Sequence, residues 1–245
     1  KDDEKPWCVF LSFVCPHPPY ISPPDLYDVY DPDALPMPPQ WRAEDWPRHP
    51  AMDYFRRFFT FDPQFPEAIV RQMNAAYYGV CTYLDRQIGR VLDTLNELGL
   101  EDQTRVTYTT DHGEHMGGRG IYGKFTMYEE SAAVPFLMAG PDVPVGKVVE
   151  TPVSLVDSFP TILEAVGAQE TEADADLPGE SLWDIAQGED RDRTVFSEYH
   201  AVGVKHGSYM LRNRQYKYVY YVNDSPQLFD TTVDPDECND LGQSP

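Results

Sequence analysis

The sequence has 245 residues, of which 41% are hydrophobic and 13% aromatic. That composition can bury the core of one large domain, or of a domain with a smaller appendage. Lys and Arg number 19 against 41 Asp and Glu, which gives a formal net charge of −22 and excludes electrostatic binding to nucleic acid or anionic membranes. No run of about 18 apolar residues occurs, so the sequence predicts no membrane-spanning helix.

The four cysteines are scattered along the chain at Cys8, Cys15, Cys81 and Cys238, without C-x-x-C spacing. This pattern is typical of buried free thiols rather than of a disulfide framework or a zinc site. Residues 1–6 are mostly charged and lead directly into an apolar run, as a loop inside a longer chain would. The sequence therefore predicts a fragment, and it shows no signal peptide that would indicate a compartment.

The first elements differ in their patterns. Residues 7–14 are continuously apolar, which predicts a central strand covered on both faces. Residues 16–50 hold eleven of the 23 prolines and are predicted to form irregular loop that can line a pocket. Apolar residues then recur every three or four positions from about Pro66, with Gly99 as the stop, which predicts a long amphipathic helix.

Two further β-forming runs, residues 104–110 and 134–140, follow the long helix. The order strand, helix, strand predicts an α/β fold with a mostly parallel central sheet flanked by helices. Residues 154–166 are predicted to form another helix, which Gly167 ends. The first domain is assigned to residues 1–168.

The remaining chain divides into two parts. Residues 169–193 are strongly acidic and are predicted to be a solvated connecting segment. Beyond them, β-forming runs at residues 194–199, 208–212 and 215–222 predict a small antiparallel sheet. This C-terminal subdomain is assigned to residues 194–245.

Polar side chains follow two of the predicted strands. His17 comes after the first, and Asp111 and His112 come after the strand that ends at residue 110. In an open parallel sheet, ligands collect at the carboxyl ends of the strands. Asp111 and His112 can share one divalent ion, and Gly113 would let the backbone pass close to it. Lys124, in a loop rich in glycine, and His17 could neutralise a charged ester and protonate its leaving oxygen. Taken alone, each of these residues is more often an ordinary loop or surface residue.

Five short motifs follow one another between Trp7 and Gly167: P-H-x-P-Y, Y-L-D-x-x-I-G-R, T-x-D-H-G-E, G-K and V-P-F-L. As an ordered set, they resemble the sulfatase family of the alkaline phosphatase superfamily. Residues 227–230 and 234–237 are similar to that family's C-terminal stretch. The resemblance implies an alkaline phosphatase-like fold and hydrolysis of a sulfate ester. The His at the second ligand position, with the lysine thirteen residues after the Asp, is similar to the branch containing choline sulfatases and phosphonate monoester hydrolases.

The resemblance also assigns roles to residues of this chain. Asp111 and His112 match metal ligands, with calcium as the expected ion and manganese as an alternative. Lys124 matches the lysine that contacts the sulfate and the leaving oxygen, and His17 matches a histidine that touches the leaving group or the sulfate. These two are the predicted catalytic residues.

The family's nucleophile is a formylglycine made from the Cys of C-x-P-x-R or from an equivalent Ser, and no Cys here has that context. The resemblance therefore implies that the nucleophile and further metal ligands lie in an N-terminal half, before Lys1, which is the expected partner. The substrate would be a small-molecule sulfate ester, and this chain alone is expected to be inactive. A homo-oligomer remains open.

Glu198, Tyr199 and His200 end a predicted strand of the small sheet, where a rigidly held side chain can select a substrate group. They are the predicted substrate-binding residues, although the tyrosine could equally cover the sheet and the histidine lie at the surface. Two other functions stay open. One is a phosphonate monoester or phosphodiester hydrolase on the same scaffold, and the other is a non-catalytic acidic module that binds a metal or a partner.

Overall fold

A computed structural model describes residues 6–243 of the chain. Within this range the chain forms six α-helices and six strands. In chain order they are α1 (Pro24–Tyr27), α2 (Pro50–Phe58), α3 (Glu67–Glu97), β1 (Val106–Thr109), α4 (Glu129–Ala132), β2 (Phe136–Ala139), α5 (Ser158–Ala165), α6 (Leu182–Gln187), β3 (Val195–Tyr199), β4 (Ser208–Arg212), β5 (Tyr216–Tyr221) and β6 (Gln227–Asp230). None of the helices in the described range has the length and hydrophobicity needed to cross a membrane.

The long helix α3 confirms the prediction made from its periodicity. It begins after Pro66 and ends before Gly99, which adopts a left-handed φ of 64°. In its middle, Gly79 lets the proline-rich segment approach closely, because an added Cβ would lie 2.2 Å from the Ser22 Oγ. Helix α3 is thus the scaffold on which the segment after residue 14 is laid.

The predicted central strand at residues 7–14 is wrong for the chain as described, because these residues pair with no strand in the range 6–243. Most of their apolar side chains are exposed, and Phe10 reaches 91%. A strand buried on both faces needs neighbours that satisfy its backbone groups and cover its side chains. The described residues supply neither.

Strands β1 and β2 pair antiparallel, with Val106 opposite Ala139 and Thr109 opposite Phe136. The expectation of a mostly parallel sheet is therefore not met by the strands of the described range. A parallel crossover needs a dozen or more residues, usually in a helix that packs on the sheet. The connection from β1 to β2 instead contains only a 3-10 turn at Gly118–Gly120 and the four-residue helix α4, and the chain returns beside β1 in the opposite direction.

The predicted helix at residues 154–166 is confirmed as α5, which a 3-10 turn capped by Ser154 precedes. The acidic segment that follows is not wholly solvated, because its helix α6 packs against α5. There the buried Trp183 indole donates to the Thr161 carbonyl at 2.9 Å. At the end of the acidic segment, the Arg193 guanidinium donates two hydrogen bonds of 2.7 Å to the buried Asp157 carboxylate. The domain boundaries at residues 168 and 193 stay predictions.

The small antiparallel sheet is confirmed, with strand order β3-β4-β5-β6. Its last strand, β6, was not predicted as a strand. One face of the sheet packs against α2 and against the loop between β1 and α4. This core consists of Met52, Phe55, Ile121, Met127, Tyr128, Met210, Val219, Tyr221 and Phe229. The C-terminal sheet therefore supports the loop that carries Lys124.

Candidate active site

The structure brings His17 and Lys124 together, although 107 positions separate them, with 3.0 Å between the His17 Nε2 and the Lys124 Nζ. The His17 Nδ1 lies 2.8 Å from the Pro18 carbonyl, which can only accept a hydrogen bond. The Nδ1 therefore carries the ring proton, and the Nε2 accepts from the Lys124 ammonium. The two predicted catalytic residues form one hydrogen-bonded unit.

Asp111 and His112 lie directly after β1, with 3.6 Å between the Asp111 Oδ2 and the His112 Nε2. The His112 Nδ1 donates to the Gly113 carbonyl at 2.8 Å, which leaves the Nε2 with a free lone pair. Asp111 is 83% exposed, so a cation can reach both atoms. Within residues 6–243 no group of three or more His, Cys, Asp or Glu side chains could hold a metal. This pair could thus supply two ligands of a divalent ion but not a complete site.

Gly113 has a packing role that differs from the predicted one. An added Cβ would lie 2.1 Å from the Glu130 carbonyl oxygen, and the Gly113 amide donates to the Ser131 carbonyl at 2.9 Å. The absence of a side chain therefore lets the turn with Asp111 and His112 lie directly on α4. Its role toward an ion stays a prediction.

Glu114 and His115 join this turn to the Lys124 loop. The His115 amide donates to the Gly123 carbonyl at 2.9 Å, and the Gly123 amide donates back to the Glu114 carboxylate. The same carboxylate oxygen accepts from the Met116 amide at 3.3 Å. Lys124 therefore follows a residue that is hydrogen-bonded on both sides to the segment after the two predicted metal ligands.

The loop that bears His17 is packed on α3 through aromatic rings. Tyr20 meets Tyr77 edge to face at 5.6 Å between ring centroids. Burial, reinforced by the nearby Glu114 carboxylate, raises the pKa of Tyr20 far above its ordinary value. Its hydroxyl is buried, and the Glu114 carboxylate is its acidic neighbour. Tyr20 thus stays a neutral phenol beside the segment that follows Asp111 and His112.

Buried charges hold the Lys124 loop at its start. The Arg119 side chain is fully buried, donates to Glu130 and to the Asp236 carbonyl, and lies 4.0 Å from the centroid of the Tyr128 ring. Arg56 adds a 3.1 Å bond to the Arg119 carbonyl. These contacts tie the loop to both α2 and the C-terminal segment.

A buried lysine holds the other end of the loop. The Lys217 ammonium lies 2.5 Å from both the Glu129 and the Glu237 carboxylates and donates to the Met127 carbonyl at 2.9 Å. Burial acts against ionisation of Glu129, but Lys217 outweighs it and lowers the pKa of that carboxyl. This network is not among the features predicted from the sequence. The sequence feature that points to it is the alternation of side chains along β5, which places Lys217 on the same buried face as Val219.

His115 lies inside the loop as a neutral imidazole. It is 1% exposed, and its Nε2 is 2.7 Å from the Thr126 Oγ1. Burial, together with the positive charges of Arg119 and Lys217, lowers the pKa of His115 to about 3. This histidine therefore adds no charge at neutral pH.

The structure does not gather the three predicted substrate-binding side chains, all of them within the described range, at one place. Tyr199 faces the core, with its ring 5.7 Å from that of Phe125, the neighbour of Lys124. Glu198 points to the other face of β3 and lies 3.3 Å from the His200 Nε2. The two-residue period of a strand causes this division. Only Tyr199 is joined through Phe125 to the loop of Lys124.

Two protein-family models together match the whole length of the chain. Residues 1–168 match the family model described as Sulfatase, and residues 113–245 match the model described as N-sulphoglucosamine sulphohydrolase, C-terminal. A choline-sulfatase of Rhizobium meliloti (strain 1021) is 33% identical over 251 residues, covering 100% of this chain and 48% of that protein. Arylsulfatase K of Rattus norvegicus is 33% identical over 264 residues, covering 97% and 46%.

Two of the similar solved structures align with nearly the whole chain. The phosphonate monoester hydrolase of Agrobacterium radiobacter has a TM-score of 0.78 at 25% identity, covering 98% of this chain and 53% of that one. The enzyme of Silicibacter pomeroyi has a TM-score of 0.76 at 28% identity, covering 94% and 50%. The likeness confirms the predicted alkaline phosphatase-like α/β fold class. The chain spans about half the length of the relatives that it matches.

Proposed function

The chain belongs to the sulfatase family, and from this premise we propose that the whole protein hydrolyses sulfate esters at a site containing His17, Lys124, Asp111 and His112. The observation that carries the proposal is the 3.0 Å contact between the His17 Nε2 and the Lys124 Nζ. This contact lies in a loop that is hydrogen-bonded to the segment following Asp111 and His112. The names of the choline-sulfatase and arylsulfatase K relatives support the same reaction class.

Lys124 would bind the sulfate and protonate the leaving oxygen. An ammonium group has three donors, and one of them is directed to the His17 Nε2. The two others are free to hydrogen-bond a sulfate oxygen and the leaving oxygen. His17, whose ring is fixed by the Pro18 carbonyl, would hold the ammonium in that orientation.

Asp111 and His112 would hold a divalent metal through the Asp111 Oδ2 and the His112 Nε2. A carboxylate oxygen suits calcium, and the imidazole nitrogen equally admits manganese, so calcium is proposed with manganese as the alternative. When bound, the metal would neutralise negative charge on the sulfate. We place the remaining ligands and the formylglycine nucleophile in an N-terminal half, because this sequence has no C-x-P-x-R motif.

The N-terminal half is also the proposed partner of the exposed segment 7–14. Its apolar side chains, with Phe10 at 91% and Val14 at 81% exposure, fit a strand that is completed by neighbours from that half. This chain alone, without those neighbours and ligands, would be inactive. Tyr199 would shape the substrate pocket through Phe125. Glu198 and His200, which pair on the other face of β3, would contact the substrate only where it extends past that strand.

A second candidate is hydrolysis of phosphonate monoesters, which the two structural relatives with TM-scores of 0.78 and 0.76 favour. The full-length protein should be assayed with a nitrophenyl sulfate and the matching nitrophenyl phenylphosphonate, comparing kcat/KM. We expect the sulfate to be the better substrate. A higher value for the phosphonate would replace the first function by the second.

The same assay tests the metal ligands. In the full-length protein, Asp111→Ala should lose bound metal and activity together. Asp102→Ala removes an exposed carboxylate from the turn that precedes β1, at the opposite end of that strand, and should retain both. Full metal occupancy in the Asp111 variant would contradict the assignment.

A further inference from the structure

Glu114 lies where the loops of the site meet. Its carboxylate accepts from the Gly123 amide, immediately before Lys124, and from the Met116 amide at 3.3 Å. The reciprocal bond from the His115 amide to the Gly123 carbonyl, at 2.9 Å, completes a two-bond link between the two segments. The position of Gly123, and with it that of Lys124, is therefore determined by the Glu114 side chain as well as by the backbone.

The same carboxylate also lies close to the loop that bears His17. The Tyr20 hydroxyl from that loop is buried, and the nearby Glu114 carboxylate helps to raise its pKa. Within that range no lysine, arginine or histidine forms an ion pair with Glu114. A partly buried carboxylate that binds backbone amides rather than a cation serves geometry more than charge balance.

We propose that Glu114 is a positioning residue that sets Lys124 against His17, an inference that rests on the proposed function. The hydrogen bond between these two side chains weakens within a few tenths of an ångström of its optimum, and the donated proton must also reach the leaving oxygen. Without Glu114 the Gly123 amide loses its acceptor, and one of the two hydrogen bonds between Gly123 and the segment after Asp111 and His112 is lost. Lys124 would then remain charged but would be misplaced.

The test uses the full-length protein and a series of aryl sulfates whose phenols differ in acidity. Glu114→Ala should lower kcat by about tenfold or more for the least activated ester and much less for the most activated one, because only the former depends on a well-placed proton donor. Glu114→Gln should stay within about threefold of wild type for all esters, since its amide oxygen still accepts from Gly123. Bound metal should be unchanged in both variants.

Two further variants keep the test decisive. Glu114→Asp retains the charge but withdraws the oxygen from Gly123, so it should show the same selective loss even if the alanine variant does not fold. Thr161→Ala, which removes a buried hydroxyl in α5 that accepts from the Leu182 amide at 2.8 Å, controls for lost stability and should leave the dependence on the leaving group unchanged.

Three outcomes would overturn the inference. They are equal losses in Glu114→Gln and Glu114→Ala, a wild-type leaving-group dependence in Glu114→Asp, and a uniform loss over all esters together with lost metal. In each case wild-type sulfate release would still support the proposed function. If the wild-type protein releases no sulfate from any ester, the proposed function itself fails and the inference fails with it.

Discussion

The buried imidazole of His115 should make the stability of the fold depend on pH. Its pKa of about 3 in the folded protein lies far below the ordinary value of 6.5 that applies in the unfolded chain. Between these two values the unfolded chain binds a proton that the folded protein does not, so acid favours unfolding. The destabilisation that His115 causes is small above pH 6.5 and grows as the pH falls from 6.5 toward 3.

The size of the effect follows from the linkage between protonation and folding. Each pH unit inside the window is worth about 1.4 kcal/mol, so lowering the pH from 7 to 5 should cost about 2 kcal/mol through this group alone. Other groups titrate too, and comparing wild type with His115→Gln removes their contribution. The free energy of unfolding in urea, measured at both pH values, should therefore fall by about 2 kcal/mol more in wild type than in the variant.

Thr126→Val is the matched control, because it removes the hydroxyl 2.7 Å from the His115 Nε2 but leaves the buried imidazole in place. It should lower stability by about 1 kcal/mol at both pH values and keep the full pH dependence. Equal pH dependence in wild type and His115→Gln would refute the reasoning, because it would mean that His115 takes up its proton in the folded protein as readily as in the unfolded chain.

Three other predictions follow from contacts already described. Lys217→Met leaves the buried Glu237 carboxylate without its cation and leaves the half-buried Glu129 with Arg212 alone, so it should cost about 3–5 kcal/mol in urea unfolding; a loss below about 1 kcal/mol would show that the network does not hold the loop. In the full-length protein, His17→Ala should slow alkyl sulfates far more than activated aryl sulfates, and equal slowing of both would argue against a role at the leaving oxygen. His200→Ala should change the relative kcat/KM across sulfate esters of different alcohols, and an unchanged profile would remove this residue from substrate recognition.

The parts of the fold that local pattern determines could be predicted. Helix α3 is specified by apolar residues spaced every three or four positions and by Gly99, so its prediction needed nothing beyond its own sequence. The antiparallel sheet is likewise specified by short β-forming runs joined by a turn, in which the Asn213 Oδ1 accepts from the Gln215 and Tyr216 amides. The apolar run at residues 7–14 did not suffice to predict a strand in the described range, because a strand also needs pairing neighbours that its own residues do not encode.

The site could be predicted only in part, for the same physical reason. The place of Asp111 and His112 after β1 follows from the sequence. Their grouping in one site with His17 and Lys124 rests on the ordered motifs of a family and stays a prediction. The link made by Glu114 could not be predicted, because hydrogen bonds between a carboxylate and a distant backbone amide leave no periodic trace. Only the final packing of the loops shows it.

The central claim is that Lys124, held by His17, acts on the leaving oxygen of a sulfate ester. The most direct test is the rate at which the full-length protein releases inorganic sulfate from an alkyl sulfate, measured for wild type and Lys124→Ala at saturating substrate. We predict a fall in kcat of about 10²–10³, the loss expected when one group that stabilises the transition state is removed. A variant that releases sulfate at the wild-type rate would contradict the account.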